Sequence, residues 1–379
     1  MRSLIRSTAG VLVLSGAASS ACSTSHPPTP TASVALPAAA SATVAPPASL
    51  ASSAPASPAP GVETSDEKLR RARAAAALTG TLLFSASIGD SDPHLVLYEL
   101  ALGGSGAPVV ITKPDGAIFS GDSAPSFSPD GTKITWTRTW SITGFGIWIA
   151  GADGAGARSV ENCKQFWMCS SAQLAADGNV YYAGGSLTGG PLVNIKVAPQ
   201  GARAGDGRNR HWAGDDQTCE FGAFRLSPDG TKIVVVAGGK SSPKCTKRGI
   251  RTASATVKGV LGAPLPLSVE TTELSRSYAE FSRDGSRILY EGSDEWVHSA
   301  KSVDGSDDRK LIAMPRQSED MSDPTRFAIV NDAYLVTSHE GPHAAVEPLG
   351  TTILAYPLDG GAPIAITRLY DAGGFAWKP

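Results

Sequence analysis

One short motif occurs three times in the chain and constrains the fold more than any other feature. The copies are FSPDGTKI, LSPDGTKI and FSRDGSRI, at Phe127–Ile134, Leu226–Ile233 and Phe281–Ile288. Asp-Gly between two apolar runs is a strong hairpin signal, because glycine adopts a positive φ without a Cβ clash. Pro129 and Pro228 also restrict φ at the first turn position. We therefore predict that Asp130, Asp229 and Asp284 form turns rather than bind a metal or act in catalysis.

The spacing of these turns, together with weaker copies, indicates a repeat of about 50 residues. An apolar residue precedes each turn at six positions, with successive spacings of 47, 52, 55, 46 and 48. In chain order these positions are Phe127, Leu174, Leu226, Phe281, Phe327 and Phe375. This period is too long for solenoid repeats and is typical of four-stranded propeller blades.

The two ends of the repeat region complement each other. The first strands after residue 80, GTLLFSAS, HLVLYELALGG and PVVIT, correspond to the second, third and fourth strands of a blade that lacks its first. The last segment, GGFAWKP, provides one strand. Pairing the C-terminal strand with the N-terminal blade would remove exposed sheet edges. We therefore predict an all-β fold: a six-bladed β-propeller of four-stranded blades, closed by this pairing, with one short N-terminal helix.

The repeat PSFSPDGTKITWTR…GIWIAGADG resembles that of TolB-like six-bladed propellers, which also occurs in tricorn-type and prolyl-oligopeptidase propellers. The resemblance covers Thr81 to Pro379 and implies a propeller fold there. TolB carries an α/β domain before its propeller, whereas this chain has a Pro-rich segment and one predicted helix. No G-x-S-x-G nucleophile motif accompanies the repeat.

The N-terminus predicts export. Residues 1–21 have two arginines, an apolar stretch and small residues, which is typical of a secretory signal peptide. Cys22 follows directly and resembles the lipidated cysteine of bacterial lipoproteins, although Ser19 stands where an aliphatic residue is usual. Ordinary cleavage after Ala21 is the alternative. We predict an outer-membrane lipoprotein of the cell envelope, facing the periplasm or the cell surface and held to the membrane by the lipid only.

The segments after the signal have contrasting compositions. Residues 22–62 are rich in Pro, Ala and Ser and cannot bury enough apolar area to fold, so we predict a disordered tether. Residues 63–79 combine a capping box at Thr64 and Glu67 with good helix formers and predict a short helix. Residues 80–379 form the predicted propeller.

Four further cysteines would meet an oxidising compartment if the chain is exported. Cys163, Cys169, Cys219 and Cys245 fit two disulfides, and local pairing, Cys163 with Cys169 and Cys219 with Cys245, is the simplest of three arrangements. Free thiols or a metal site are alternatives, although the spacings match no zinc pattern.

The connections on the propeller face opposite the uniform Asp-Gly turns are long and varied, which favours that face as the functional one. The predicted loops are Thr139–Gly146, Glu161–Ala172, Arg208–Gly222, Gly239–Gly249 and Thr337–Leu349. They carry aromatic and histidine residues that are candidates for partner binding, namely Trp140, Phe145, Phe166, Trp167, His211, Trp212, His339 and His343. The alternative is that these side chains fold onto neighbouring loops as a small satellite core.

The remaining signals favour a binding protein over an enzyme. The formal net charge of −2 provides no argument for nucleic-acid binding. HEGPH at 339–343 matches a zinc-protease motif, but Gly341 and Pro342 oppose the helix which that chemistry needs. We predict a monomeric, non-catalytic scaffold without a cofactor that binds an envelope protein or glycan. A metal-dependent lyase or hydrolase using His339, His343 or His211 at the channel mouth is the alternative.

Overall fold

The computed structural model describes most of the repeat region and little of what precedes it. The described residues are 69, 73, 78–89, 92–113, 121–141, 143–163, 167–186, 194–213, 220–238, 249–255, 262–269, 278–313, 327–340 and 351–379. The predicted signal peptide, Cys22 and the predicted tether lie outside these residues.

The described chain is almost entirely β-structure, arranged as consecutive antiparallel units. The N-terminal strands are β1 (Thr81–Gly89), β2 (Asp92–Ala101) and β3 (Val109–Val110). Unit 1 contains β4 (Gly121–Phe127), β5 (Lys133–Ser141), β6 (Gly144–Gly151) and β7 (Arg158–Asn162). Unit 2 contains β8 (Trp167–Leu174), β9 (Val180–Ser186), β10 (Asn194–Ala198) and β11 (Arg210–Ala213). Strands pair in chain order within each unit.

Unit 3 contains β12 (Glu220–Leu226), β13 (Lys232–Gly238) and β14 (Gly249–Ser254). Residues 262–269 run beside β14 without forming a regular strand. Gly262 N donates to Thr252 O at 3.2 Å and Leu265 N donates to Ile250 O at 2.8 Å. The sequence GAPLPLSV explains the irregularity, because proline has no N–H to donate to a ladder.

The remaining strands complete the repeat. Unit 4 contains β15 (Ala279–Phe281), β16 (Arg287–Glu291), β17 (Trp296–Lys301) and β18 (Arg309–Ala313). Unit 5 contains β19 (Phe327–Val330), β20 (Tyr334–Glu340), β21 (Thr351–Pro357) and the first part of β22 (Ile364–Lys378). The last part of β22, with β1 to β3, is unit 6.

Strand β22 belongs to two units and joins them in one continuous sheet. Its first part pairs with β21 as far as Leu369 opposite Thr351. From Tyr370 onward it pairs with β1, ending with Lys378 opposite Thr81. The C-terminal strand therefore pairs with the N-terminal strands, as the repeat count predicts.

Apolar residues pack between consecutive units. Among the described residues, six buried clusters each combine side chains of two neighbouring units, including units 6 and 1. β13 shows why its sequence KIVVVAG is almost continuously apolar: Ile233 and Val235 face unit 2, whereas Val234 and Val236 face unit 4. Alternate residues of a strand point to opposite faces, and here both faces are buried.

The N-terminal segment packs against unit 6. Leu69 and Arg73 are helical, whereas Leu78 and Thr79 are not, so the predicted helix ends before residue 78. Arg73 is 1% exposed, and its Nη2 donates to the carbonyl oxygens of Gly104 at 2.7 Å and Gly106 at 2.6 Å. Within the described residues, no helix has the length and apolar character needed to cross a membrane.

The structure corrects the predicted loop at Thr139–Gly146. β5 and β6 continue as a hairpin, with Thr139 opposite Phe145 and Ser141 opposite Gly144. A Cβ on Gly144 would lie 2.3 Å from Nε1 of Trp140, so the indole occupies space that only glycine leaves open. This cross-strand packing favours strand over loop, and sequence alternation alone did not reveal it.

Candidate functional site

Each Asp-Gly turn is held by its own side chains. In the first copy, Ser128 Oγ donates to Asp130 Oδ1 at 2.5 Å, and Thr132 N donates to the same oxygen at 3.0 Å. Gly131 has φ +68°. The same pattern occurs at Ser227–Thr231 and Ser282–Ser286. These bonds explain the three aspartates as turn residues.

These hydrogen bonds stabilise the ionised carboxylates. At Asp284, hydrogen bonds from Ser282 Oγ and from the amide and hydroxyl of Ser286 lower the pKa to about 2. The pKa values of Asp130 and Asp229 are lowered for the same reason.

We expect Asp284 to contribute an acid-sensitive part of the stability. Its folded-state pKa of about 2 lies below the ordinary value of 3.8. The stabilisation is therefore complete above about pH 4 and is lost as the pH falls towards 2. In urea unfolding at pH 7, 4, 3 and 2.5, Asp284→Asn should be less stable at pH 7 and should lose less stability on acidification. Asp359→Asn, at an exposed carboxylate, is the control, and equal acid slopes for wild type and Asp284→Asn would contradict this role.

Side chains also join neighbouring units near these turns. Gln173 of β8 donates from Nε2 to Phe224 O at 2.9 Å and accepts from Leu226 N at 2.7 Å. Thr135 Oγ1 similarly donates to Ala172 O at 2.8 Å. These contacts set the spacing between the first strands of units 2 and 3 and between units 1 and 2.

The ends of the first strands enclose a cavity of about 270 Å³. All six units contribute to its wall through the residues just before or within the one–two turn. Representative lining residues, one from each unit in order, are Phe127, Gln173, Arg225, Glu280, Asp332 and Trp377. The cavity therefore brings together side chains that are about 50 residues apart in sequence.

The acidic groups of the cavity already have partners. Glu280 accepts a hydrogen bond from the hydroxyl of buried Tyr278. Burial raises the pKa of Glu280, while the positive charge of Arg225 and the bond from Tyr278 oppose that rise. Asp332 Oδ1 accepts from the backbone N–H of Arg283 at 2.8 Å.

The cationic side chains of the cavity differ in the contacts that they make. Lys378 Nζ lies 3.3 Å from Gly131 O and 3.9 Å from Glu99, with the Phe127 ring 4.7 Å away. The guanidinium of Arg283 lies over the Trp377 ring at 5.9 Å. Within the described part of the chain, the guanidiniums of Arg225 and Arg283 have no hydrogen-bond acceptor and no ion-pair partner.

A groove of about 680 Å³ lies beside the cavity, between units 4 and 5. In units 1 to 4 five residues separate the first two strands, but in unit 5 only Asn331–Ala333 do. Asn331 and Asp332 both have positive φ, which allows this shorter turn. The shortened turn leaves space above Leu289, Leu311 and Leu358, and Asp332 borders both the groove and the cavity.

Comparisons with known proteins agree with this architecture. No protein-family profile matches the chain, and no curated protein is significantly similar to it. Among solved structures, TolB from Acinetobacter baumannii superposes with a TM-score of 0.57 at 14% identity, covering 79% of this chain and 67% of that one. The chain has a TolB-like propeller fold.

Two further solved structures are similar at a lower level. A putative TolB from Agrobacterium tumefaciens matches the TolB-like propeller with a TM-score of 0.44 at 13% identity, over 80% of this chain and 99% of that one. An oligogalacturonate lyase in complex with manganese matches with a TM-score of 0.44 at 13% identity, over 76% and 87%.

Trp212 of the TolB-like propeller corrects the prediction of an exposed loop aromatic. It lies on β11 and is 3% exposed. Its ring packs edge-on against Tyr181 at 6.2 Å, and its Nε1 donates to Ala255 O at 3.2 Å. Trp212 therefore belongs to the core between units 2 and 3, because β11 is the fourth strand of its unit rather than a loop.

The other candidate residues are only partly described. Trp140 is 36% exposed and Phe145 is half-buried. Trp167, His211 and His339 lie on β8, β11 and β20, but the structure does not describe their side chains. Phe166 and His343 lie outside the described residues. Their roles in partner binding stay predictions.

The structure describes one of the two predicted cysteine pairs. Cys163 and Cys169 form a disulfide, with Cα atoms 6.2 Å apart, across the connection between units 1 and 2. Cys219 and Cys245 lie outside the described residues. Within the described residues, no group of three or more His, Cys, Asp or Glu side chains is arranged to hold a metal ion.

Proposed function

We propose that this chain is a non-catalytic binding protein of the bacterial cell envelope. Its binding domain is a closed six-bladed propeller, and it takes a protein partner at the central cavity on the Asp-Gly turn face. The observation that carries the proposal is the cavity itself, to which all six units contribute. Among the described residues, the guanidiniums of Arg225 and Arg283 have no hydrogen-bond acceptor there.

Ring closure is supported by packing between the first and last units. Leu83 and Leu97 of unit 6 pack with Ile134 and Trp136 of unit 1. Together with the pairing of β22 and β1, this contact leaves each unit packed between two neighbours. A closed ring provides a rigid wall, which is what a preorganised binding cavity needs.

The binding face can be tested by site-specific photo-cross-linking in living cells. A photoreactive amino acid placed at exposed Pro228, on the cavity rim, should cross-link one or a few envelope proteins. The same photoreactive amino acid at Trp140 samples the opposite face. At Arg208, in the turn after β10 of unit 2, it serves as the control. Products from Pro228 alone support the proposal, products from Trp140 alone assign binding to the variable-loop face, and none from either reject a protein-binding function.

We also propose that a lipid on Cys22 attaches the protein to the outer membrane through the tether at residues 22–62. The support is the signal-like sequence followed directly by cysteine and a long uncharged Pro-rich segment. Cys22→Ser should move the protein from the membrane fraction to the soluble fraction after cell lysis, with Cys163→Ser as the control. A wild-type protein that is already soluble would instead support ordinary cleavage without an anchor.

A further inference from the structure

The cavity contains more available positive charge than available negative charge. Glu280 is engaged by Tyr278 and Asp332 by the backbone of Arg283. The positive charge of Arg225 acts on Glu280, but among the described residues the guanidiniums of Arg225 and Arg283 have no hydrogen-bond acceptor. A guanidinium is planar and matches a carboxylate with two parallel hydrogen bonds, which are stronger than those between neutral groups. The cavity is therefore chemically suited to a carboxylate.

The size and rim of the cavity restrict the source of that carboxylate. A volume of about 270 Å³ is slightly below the usual range for small-molecule sites and suits one or two side chains. Asp130, Asp229 and Asp284 lie in the turns around the mouth, and their lowered pKa values keep them ionised. Lys133 lies close enough to Asp130, and Lys232 to Asp229, to lower the pKa of each carboxyl. The rim therefore carries both signs of charge and admits a single acidic side chain that reaches the arginines.

The neighbouring groove indicates what kind of partner residue lies next to the one that carries the carboxylate. Leu289, Leu311 and Leu358 line the groove among polar and charged side chains that include Arg287 and Lys310. Asp332 borders both the groove and the cavity. Within the cavity, the Trp377 ring lies beneath Arg283. An extended segment that places an acidic side chain in the cavity would therefore pass over the turn of unit 5 and bring an apolar side chain into the groove.

We propose that the partner presents an extended peptide segment in which one Asp or Glu is bound by Arg225 and Arg283 and a nearby apolar residue occupies the groove between units 4 and 5. This inference rests on the proposed binding function and adds the chemistry of the ligand. It assigns a positioning role to Trp377, which packs against Arg283 and donates from Nε1 to Thr79 O at 3.0 Å.

Selection from a random heptapeptide phage library tests this chemistry without knowledge of the partner. Selection on the wild-type chain should enrich peptides with one Asp or Glu and an apolar residue within three positions of it. Selection on Arg225→Gln/Arg283→Gln should lose the acidic preference. Arg208→Gln, at an exposed arginine that does not line the cavity, should select the same peptides as wild type.

A synthetic copy of the most enriched peptide provides the quantitative test. Its Kd should increase about tenfold or more, or about 1.4 kcal/mol, with Arg225→Gln, since the substitution removes a hydrogen bond between two charged groups. The matched peptide with Gln or Asn in place of the acid should bind wild type equally weakly, and Arg225→Lys should restore part of the affinity. Circular dichroism melting of each variant verifies that it is folded.

Three results would overturn the inference: no enriched peptide, enrichment without an acidic residue, or a Kd unchanged by Arg225→Gln in a folded variant. Cross-linking from Pro228 in cells is independent of these results. If cross-links persist while the acidic preference is absent, the carboxylate inference is wrong and the binding function stands.

Discussion

Replacing Asp122 by alanine should lower the free energy of unfolding by about 3–5 kcal/mol, because it leaves a guanidinium buried without its counter-ion. Asp122 is 0% exposed and Arg138 is 6% exposed. Arg138 donates to both carboxylate oxygens, from Nε at 2.6 Å and from Nη2 at 2.8 Å. Trp136 Nε1 also donates to Asp122 at 2.9 Å, and the guanidinium lies 4.3 Å over the Trp148 ring.

The double variant Asp122→Leu/Arg138→Met separates the cost of an unpaired charge from the value of the pair. It should recover most of the lost stability, because apolar groups of similar volume often replace a buried ion pair at little cost. Urea unfolding followed by fluorescence and circular dichroism provides the measurement. Arg208→Ala, which breaks an exposed pair at 4.0 Å, should cost less than about 1 kcal/mol. Equal losses in the Asp122→Ala and double variants would show that packing, and not the uncompensated charge, dominates.

Replacing Phe375 by alanine should cost about 3–5 kcal/mol, the usual range for a buried Phe-to-Ala change. Phe375 is 1% exposed and lies in the part of β22 that pairs with β1, opposite Phe84. The two rings are 6.2 Å apart, within the cluster that joins units 5 and 6. The substitution therefore tests whether the C-terminal strand is essential to the stability of the N-terminal strands.

The control for Phe375 is Val303→Ala, at a side chain that is 80% exposed, and its effect should lie within about 0.5 kcal/mol. The unfolding transition of Phe375→Ala should remain single when fluorescence and circular dichroism are compared, because each unit packs on its neighbours. A loss below about 1 kcal/mol, or two separate transitions, would contradict a cooperative closure through β22.

The repeated turns show how much of the fold can be predicted from local sequence. Asp-Gly between two apolar runs predicted the hairpin, and the hydrogen bonds of Ser128, Asp130 and Thr132 account for it within five residues. The serine's own role was not predicted, although its recurrence before each strong copy is a usable signal. The copy at Phe327 was recognised in the sequence as a weaker copy of the repeat. The groove that its shortened turn leaves between units 4 and 5 was not predicted.

The errors arose where packing overrides local pattern. Trp212 was predicted in the loop Arg208–Gly222, yet it is in a core formed with Tyr181 and with Ala255 of the next unit. SITGFG contains two glycines and was predicted as loop, yet Trp140 covers them in a hairpin. In the first case the aromatic side chain is buried between units, and in the second it packs across a hairpin while staying 36% exposed.

The prediction that function lies opposite the Asp-Gly turns was drawn from loop length and variety alone. The uniform turns surround the cavity of Arg225, Glu280 and Arg283, so uniformity of the turn backbone does not exclude a binding role for residues beside it. The loops of the opposite face lie mostly outside the described residues, and their role stays a prediction.

The sequence by itself determined the strand period, the turns and the pairing of the two chain ends, because each depends on local φ preferences and on a pattern that recurs every 50 residues. Only the tertiary structure decided which side chains meet in the cavity. Arg225 and Arg283 are separated by 58 residues of chain, and no local preference relates them. Their place in the wall of one cavity follows from packing between units, which is a collective property of all the inter-unit cores.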